Sequence, residues 1–351
     1  MLNKMDFFIK YYMSVWVFFA LLLFNCSTYA DVIDAIVSKD GQGDYRSIQK
    51  AIDDAPDNAV KPYIIFIKKG TYNEKLFIEK SFITLLGEDS DSTQIIYPEL
   101  RANWRKFHPG NDWGSAVINI GNKVTDLTIA NLTVYNNYGS LYGNTDHQFA
   151  LRGGGSRLII FNCKLKADGG DTVSLWNTFD GMYYMAYCYF EGWVDYVCPR
   201  GWCYITDCRF FGHNLTASIW HDGSTDPDQK IVIRNSSFDG VKGFSLGRNH
   251  RDAQFYLIDC AFSSNMANKP IYRTSNDSLY KWGKHYYYHN CHRSGGNYDW
   301  FMNNLDKAPN KNLQPEEITA AWTFGHRWDP DKTILSFYQN IIQSTSTRIG
   351  N

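Results

Sequence analysis

The chain has 351 residues, enough to bury a large core, and no Pro/Gly/Ser-rich or charged stretch divides it. One elongated domain is therefore expected rather than two compact ones. Its 35 Lys and Arg balance 36 Asp and Glu, which excludes the basic field of a nucleic-acid binder, while 16% aromatic content with many turn-forming residues suits turn-rich β structure and sugar-stacking surfaces.

Lys4 and Lys10 flank the start of an apolar run from Tyr11 to Phe24, and Ser27-Thr28-Tyr29-Ala30 follow it. This pattern predicts a signal peptide over residues 1–30, cleaved after Ala30, and a single mature domain over 31–351. The run is shorter than the ~20 residues that span a bilayer, so no transmembrane segment is expected in the mature chain. An alternative makes Cys26 a lipid-modified N-terminus, although Asn25 is a poor residue to precede one. Either way the protein is exported: secreted, periplasmic or anchored at the surface.

Two segments have helical character. Ile48, Ala51, Ile52 and Ala55 recur at helical spacing within 45–55, and a helix there would cap the open end of a solenoid. The second is Pro315 to Ala321.

Between them one pattern recurs: alternating apolar residues, then Asn or Asp, then Cys or a small residue. It ends at Asn131, Asn162-Cys163, Tyr187-Cys188, Asp207-Cys208, Asn235-Ser236, Asp259-Cys260 and Asn290-Cys291, at intervals of about 20 to 31 residues. Each copy is a short strand, and no helical stretch between copies is long enough for a crossover helix. An all-β parallel β-helix follows. The Asn/Asp position is expected at a bend with side-chain amides stacked, and the adjoining Cys in the core. Seven cysteines remain after cleavage, and they read as buried core residues, not a disulfide framework.

Cys198, Cys203, Cys208 and His213 occur every five residues. Five residues along a strand reverses the face at each step, and the two-to-four spacing of zinc ligands is missing, so no metal is expected.

Two aspartates stand out. Asp171 lies in a glycine-flanked turn, Gly169-Gly170-Asp171-Thr172, and Asp195 in the apolar run Trp193-Val194-Asp195-Tyr196. A carboxylate among apolar residues is costly to bury without a cation, and Arg248 is the candidate. Taken alone, Asp195 reads better as a structural ion pair or as a strand position that faces outward. The spacing says more: Gln148, Asp171 and Asp195 are separated by 23 and 24 residues, each close to one coil, and Arg248 comes two coils later. Stacked coils would set these side chains in one groove. Paired carboxylates can hydrolyse an ester, an ionised one attacking the carbonyl and a protonated one donating to the leaving alcohol.

The chain resembles the pectin methylesterases along nearly all of its mature length. The resemblance runs through Val37-Ser-Lys-Asp40-Gly-Gln-Gly-Asp44-Tyr45, Ile48-Gln49-Lys-Ala51-Ile52, Gly70-Thr-Tyr72-Asn-Glu74, Ile83-Thr-Leu-Leu-Gly87, His147-Gln148-Phe-Ala-Leu151-Arg152, Gly170-Asp171-Thr172, Val194-Asp195-Tyr196 and Leu246-Gly247-Arg248. It implies a right-handed parallel β-helix that removes methyl esters from galacturonan with no metal or other cofactor. By resemblance Asp195 is the nucleophile, Asp171 the general acid/base, Gln148 an oxyanion donor and Arg248 the arginine that holds the nucleophile.

The departures are specific. Gly170 stands where the family has Gln, a loss worth ~2.7–4 kcal/mol if an oxyanion donor goes missing. Tyr196-Val-Cys-Pro-Arg200 replaces Phe-Ile-Phe-Gly, and Asn249-His250 replaces Pro-Trp. Arg200 is a candidate source of the missing positive charge. Trp176, Trp193, Trp202, Trp220 and Trp282 are candidate sugar platforms, each equally readable as packing between coils, and Arg152, Arg200, Arg251 and His250 candidate contacts to uronate or sulfate. The expected partner is an acidic polysaccharide, with no nucleic acid, and the expected state a monomer. Competing readings are a non-catalytic glycan-binding β-helix, a polysaccharide lyase or glycosidase, and a thioesterase.

Overall fold

Short strands that repeat every coil, separated by single residues able to adopt a left-handed backbone, wind the chain into stacked turns. A computed structural model describes residues 33–334 apart from 224, 275–280 and 283. The leader, Cys26 and residues 335–351 lie outside the described residues. The chain divides into two units, Ala35–Pro330 and a pair of ends, Met1–Asp34 with Asp331–Asn351. The first unit is a right-handed parallel β-helix, and among the described residues it has three parallel sheets of ten, eight and nine strands. Each complete coil gives one strand to each sheet: Phe149–Gly153 lies in the eight-stranded sheet, Ser156–Phe161 in the ten-stranded sheet and Lys164–Ala167 in the nine-stranded one.

The recurrent Asn/Asp position is the bend between the ten- and nine-stranded sheets. Asn131, Asn162, Tyr187, Asp207, Asn235, Asp259 and Asn290 all have φ between 48° and 60°. Asn and Asp tolerate this region better than other side chains, which explains the repeat. The expected amide ladder exists as two short pieces: Asn162 donates to Asn131 (2.8 Å), which donates to the Gly87 carbonyl, and Asn290 donates to Asp259. Tyr187 interrupts it, its ring edge-on to Phe161.

The cysteine after each bend points inward. Cys163, Cys188, Cys208, Cys260 and Cys291 are buried free thiols, each donating to a carbonyl one coil back. Phe190, Phe210, Phe238 and Phe262 stack through the core in register, with ring centroids 5.0, 4.2 and 5.7 Å apart.

Helix α1, Ile48–Asp54, lies against the first coils with Ile48, Ala51 and Ile52 buried. Ser47 caps it, and Glu74 accepts hydrogen bonds from the Ser47 hydroxyl and the backbone N–H groups of Ile48 and Gln49, placing negative charge at the helix N-terminus.

Two short helices escaped sequence reading: α2, Arg101–Phe107, and α3, Tyr138–Tyr142. Neither has a side-chain cap or a buried apolar face, so no helical pattern marks them. The expected helix at 315–321 is instead a 3-10 turn, Pro315–Glu317, and a separate helix α4, Ala320–Thr323. Ile318 ends the first, and Thr319 caps the second by accepting from the Trp322 N–H. No helix among the described residues is long and apolar enough to cross a membrane.

Candidate active site

The eight-stranded sheet carries the site. Asp171 and Asp195 each lie two residues before one of its strands, Val173–Trp176 and Val197–Arg200, and both have left-handed φ, 61° and 50°. The same conformation that makes the Asn/Asp bends elsewhere thus sets a carboxylate at the start of two successive strands. Val173 pairs with Val197, so the aspartates are in register one coil apart. The Asp171 N–H donates to the Val194 carbonyl, the Asp195 N–H to Ala217 and the Gln148 N–H to Gly170, confirming the predicted vertical alignment.

The two carboxyls differ sharply in their partners. Arg248 grips Asp195 from two coils away, Nε 2.9 Å from Oδ1 and Nη2 2.6 Å from Oδ2. Asp171 Oδ1 is buried with no hydrogen-bond partner, and Oδ2 lies 3.8 Å from His147 Nε2. Burial pushes Asp171 up to about 7, although the positive charges of Arg152, Arg101, Arg200 and Arg248 pull the other way. Burial also raises Asp195, only to about 6, because Arg248 opposes it. Asp195 thus loses its proton first. Burial and Arg101 hold His147 below its ordinary value, so its imidazole is neutral near pH 7.

Gln148 is fully buried, its Oε1 accepting from the Gly139 N–H and its Nε2 donating to the Asn144 carbonyl. One amide hydrogen remains. Gly169 and Gly170 permit the tight passage beside it: a Cβ on Gly169 would fall 2.0 Å from the Asp146 carbonyl oxygen, and one on Gly170 2.7 Å from Val194 Cγ1. Val194 therefore occupies the space that a side chain at 170 would need.

Beyond the aspartates the outer face of the sheet is a block of alternating cations and indoles. Leu151, Val173, Leu175, Val197 and Ile219 point into the core, so Arg152, Ser174, Trp176, Arg200, Trp220 and Arg248 point outward. Arg152 and Arg200 lie over the Trp176 ring at 4.8 and 3.5 Å, and Arg200 also lies 4.7 Å from the Trp220 ring. Trp220 then meets His250 edge-on at 4.5 Å. Arg152 is tied down, donating to Ser174 and Asp112. Asp112 also receives both Arg101 and Arg105, which anchors α2 beside the site, where the Arg101 N–H reaches the His147 carbonyl. A cleft of about 430 Å³ opens here, lined by Asp112, Trp113, Asn119, Asn122, Arg152 and Trp176.

Not every candidate joins this groove. Trp193 stacks on His213 (5.8 Å), which pairs with Glu191. Trp202 is buried under Arg327 with its indole N–H on Asp228, so it is packing and not a platform. Trp282 lies under Lys281, and Arg251 is exposed, its N–H donating to Asp222. Asn249 is no groove wall: it is buried and bonds to the Arg251 carbonyl and the Tyr286 hydroxyl. Cys198 and Cys203 lie on strands of two different sheets, Cys208 and His213 just outside the two ends of a strand of the third, and no metal-binding cluster occurs among the described residues. Sequence reasoning missed the roles of His147, Arg101 and Asp112; adjacency to Gln148 marked only the first.

The described residues thus form a right-handed parallel β-helix that carries two buried aspartates in register, one of them held by an arginine. The Pectinesterase family profile matches residues 34–257, and the chain belongs to that family. A pectinesterase of Petunia integrifolia is 28% identical over 211 residues, covering 58% of this chain and 52% of that protein. The probable pectinesterase 56 of Arabidopsis thaliana is 30% identical over 184 residues, 51% of this chain and 58% of that one. The chain thus spans about half the length of these curated relatives. Among solved structures, the pectin methylesterase PemA from Erwinia chrysanthemi superposes with a TM-score of 0.66 at 21% identity, covering 85% of this chain and 98% of that one. An Aspergillus niger pectin methylesterase superposes at 0.68 and 20% identity, covering 84% and 95%. These structural likenesses establish the fold.

Proposed function

We propose that the protein is a carboxylic ester hydrolase that removes methyl groups from galacturonan or a related uronate polysaccharide. The asymmetry of the two aspartates carries this reading: between about pH 6 and 7 Asp195 is ionised in the grip of Arg248 while Asp171, with an unpartnered oxygen, keeps its proton.

Asp195 attacks the ester carbonyl, and Asp171 gives its proton to the departing methoxy oxygen, releasing methanol and leaving an acyl-enzyme anhydride. A water molecule then loses a proton to Asp171 as it attacks that anhydride, which restores both side chains and frees the uronate. The remaining Gln148 amide hydrogen serves the tetrahedral oxyanion, and Arg248 positions Asp195. Arg152, Trp176, Arg200 and His250 form the sugar-binding floor, with Trp193 flanking it. The enzyme works outside the cytoplasm as a monomer, free or tethered through Cys26.

Gly170 favours a second reading, a glycan-binding β-helix without catalysis, since the family glutamine is gone there. Incubating the protein with highly methylated galacturonan and other methylated uronate polymers tests the choice. Methanol release that disappears in Asp195→Asn supports the esterase; binding without release supports the second reading.

A further inference from the structure

Among the arginines of the groove, Arg200 is unlike its neighbours. Arg152 donates to Ser174 and Asp112, Arg101 and Arg105 are fixed on Asp112, and Arg248 is fixed on Asp195. The Arg200 side chain makes no hydrogen bond with any described residue. Its nearest carboxylate, Asp222, is 3.8 Å away, beyond hydrogen-bond distance. Asp222 Oδ1 accepts the backbone N–H groups of His250 and Arg251, which fixes the carboxylate with Oδ2 toward Arg200 but short of a hydrogen bond.

The guanidinium is nevertheless held in one place. Trp176 lies 3.5 Å and Trp220 4.7 Å from its centre, so the indoles restrain the plane while its N–H donors, which lie in that plane, stay unoccupied. Its side chain is mostly covered, with 16% of its surface exposed, so solvent reaches it only at an edge. Weakly hydrated, pre-oriented and without an acceptor, such a fork is suited to a planar or tetrahedral anion. It lies on the strand that Asp195 introduces, in register with Trp176 of the preceding coil. Its charge also reaches Asp171.

A methyl ester is neutral and does not call for this arginine. We infer that Arg200 binds a second, anionic substituent of the same polymer, a carboxylate or a sulfate on a sugar near the ester, so that the protein selects esters with charge beside them. The inference rests on the esterase reading for the identity of the polymer, but the binding it requires can be measured without turnover.

The probes are an oligogalacturonate, its fully methyl-esterified counterpart and a sulfated oligosaccharide without carboxylates, titrated calorimetrically into the full protein and into Arg200→Met, with folding verified by thermal unfolding. Arg200→Lys, which keeps the charge but loses the fork, serves as the second variant and as the fallback if Arg200→Met does not fold. The wild-type protein is expected to prefer an anionic oligomer to the esterified one, and the ratio of the two affinities should fall about tenfold in Arg200→Met and by less in Arg200→Lys. Whichever anionic oligomer shows the preference identifies carboxylate or sulfate as the ligand. Equal wild-type affinity for charged and esterified oligomers, or a ratio untouched by both variants, overturns the inference. Failure of the wild type to release methanol would instead overturn the esterase reading and leave the affinity ratios to decide Arg200 separately.

Discussion

Arg248 reaches across two coils to hold Asp195 by both oxygens, at 2.9 and 2.6 Å, although the two residues are 53 positions apart in sequence. Asp195 is almost fully buried, and this contact is what makes an ionised carboxylate tolerable there.

Removing that cation leaves the carboxylate without compensation. Arg248→Met is expected to destabilise the protein by about 3 kcal/mol near pH 8, and by less near pH 5 where Asp195 takes up a proton instead. Urea unfolding at the two pH values checks this. Methanol release near pH 7 should fall in parallel, because the nucleophile would be protonated.

Folding itself takes up protons at this site. Asp171 and Asp195 are raised to about 7 and about 6, whereas a carboxyl in the unfolded chain titrates near ~3.9. The stabilising contribution of the protonated pair is therefore complete below about pH 4 and lost as pH rises through 6 and 7. Asp171→Asn should flatten the fall in thermal stability over that interval and exceed the wild type at pH 8. The pair titrates as a unit, so methanol release should rise near pH 6 as the first proton leaves and decline above about 7 as the second does. An activity that continues to climb beyond pH 9 would contradict the assignment of Asp171 as the acid.

Gly170 has a steric partner in Val194. Gly170→Ala should cost about 1–3 kcal/mol, because the added Cβ would meet a branched side chain with little freedom to move. Val194→Ala should recover most of that loss, and a thermal double-mutant cycle would show the coupling. Gly170→Gln combined with Val194→Ala is expected to raise methanol release above the level of either single variant, by restoring an oxyanion donor.

The family departures at 170 and 249 thus have different meanings. At 170 the neighbouring Val194 fills the space that a longer side chain would need. At 249 the asparagine is internal, and only His250 reaches the groove, against Trp220. Sequence position did not separate the two, since alternation along a strand assigns faces only once the strand ends are known.

Most of the β-helix was legible in the chain, because a solenoid repeats its local chemistry: each Asn or Asp marks a left-handed bend, and the Cys after it marks an inward position. The same periodicity set Gln148, Asp171 and Asp195 one coil apart, since residues at one coil spacing must stack. Helices α2 and α3 were not legible, because what holds α2 is not an apolar face but arginine contacts to Asp112, and α3 lies beside Gln148 through the Gly139 N–H. Nor could sequence show that Trp202 is packing while Trp176 is groove, or that among the described residues the Arg200 side chain, unlike the other groove arginines, has no hydrogen-bond acceptor. Those distinctions depend on which side chains meet across coils, and lateral contacts between residues 20 to 50 positions apart are settled only when the register of every intervening coil is in place.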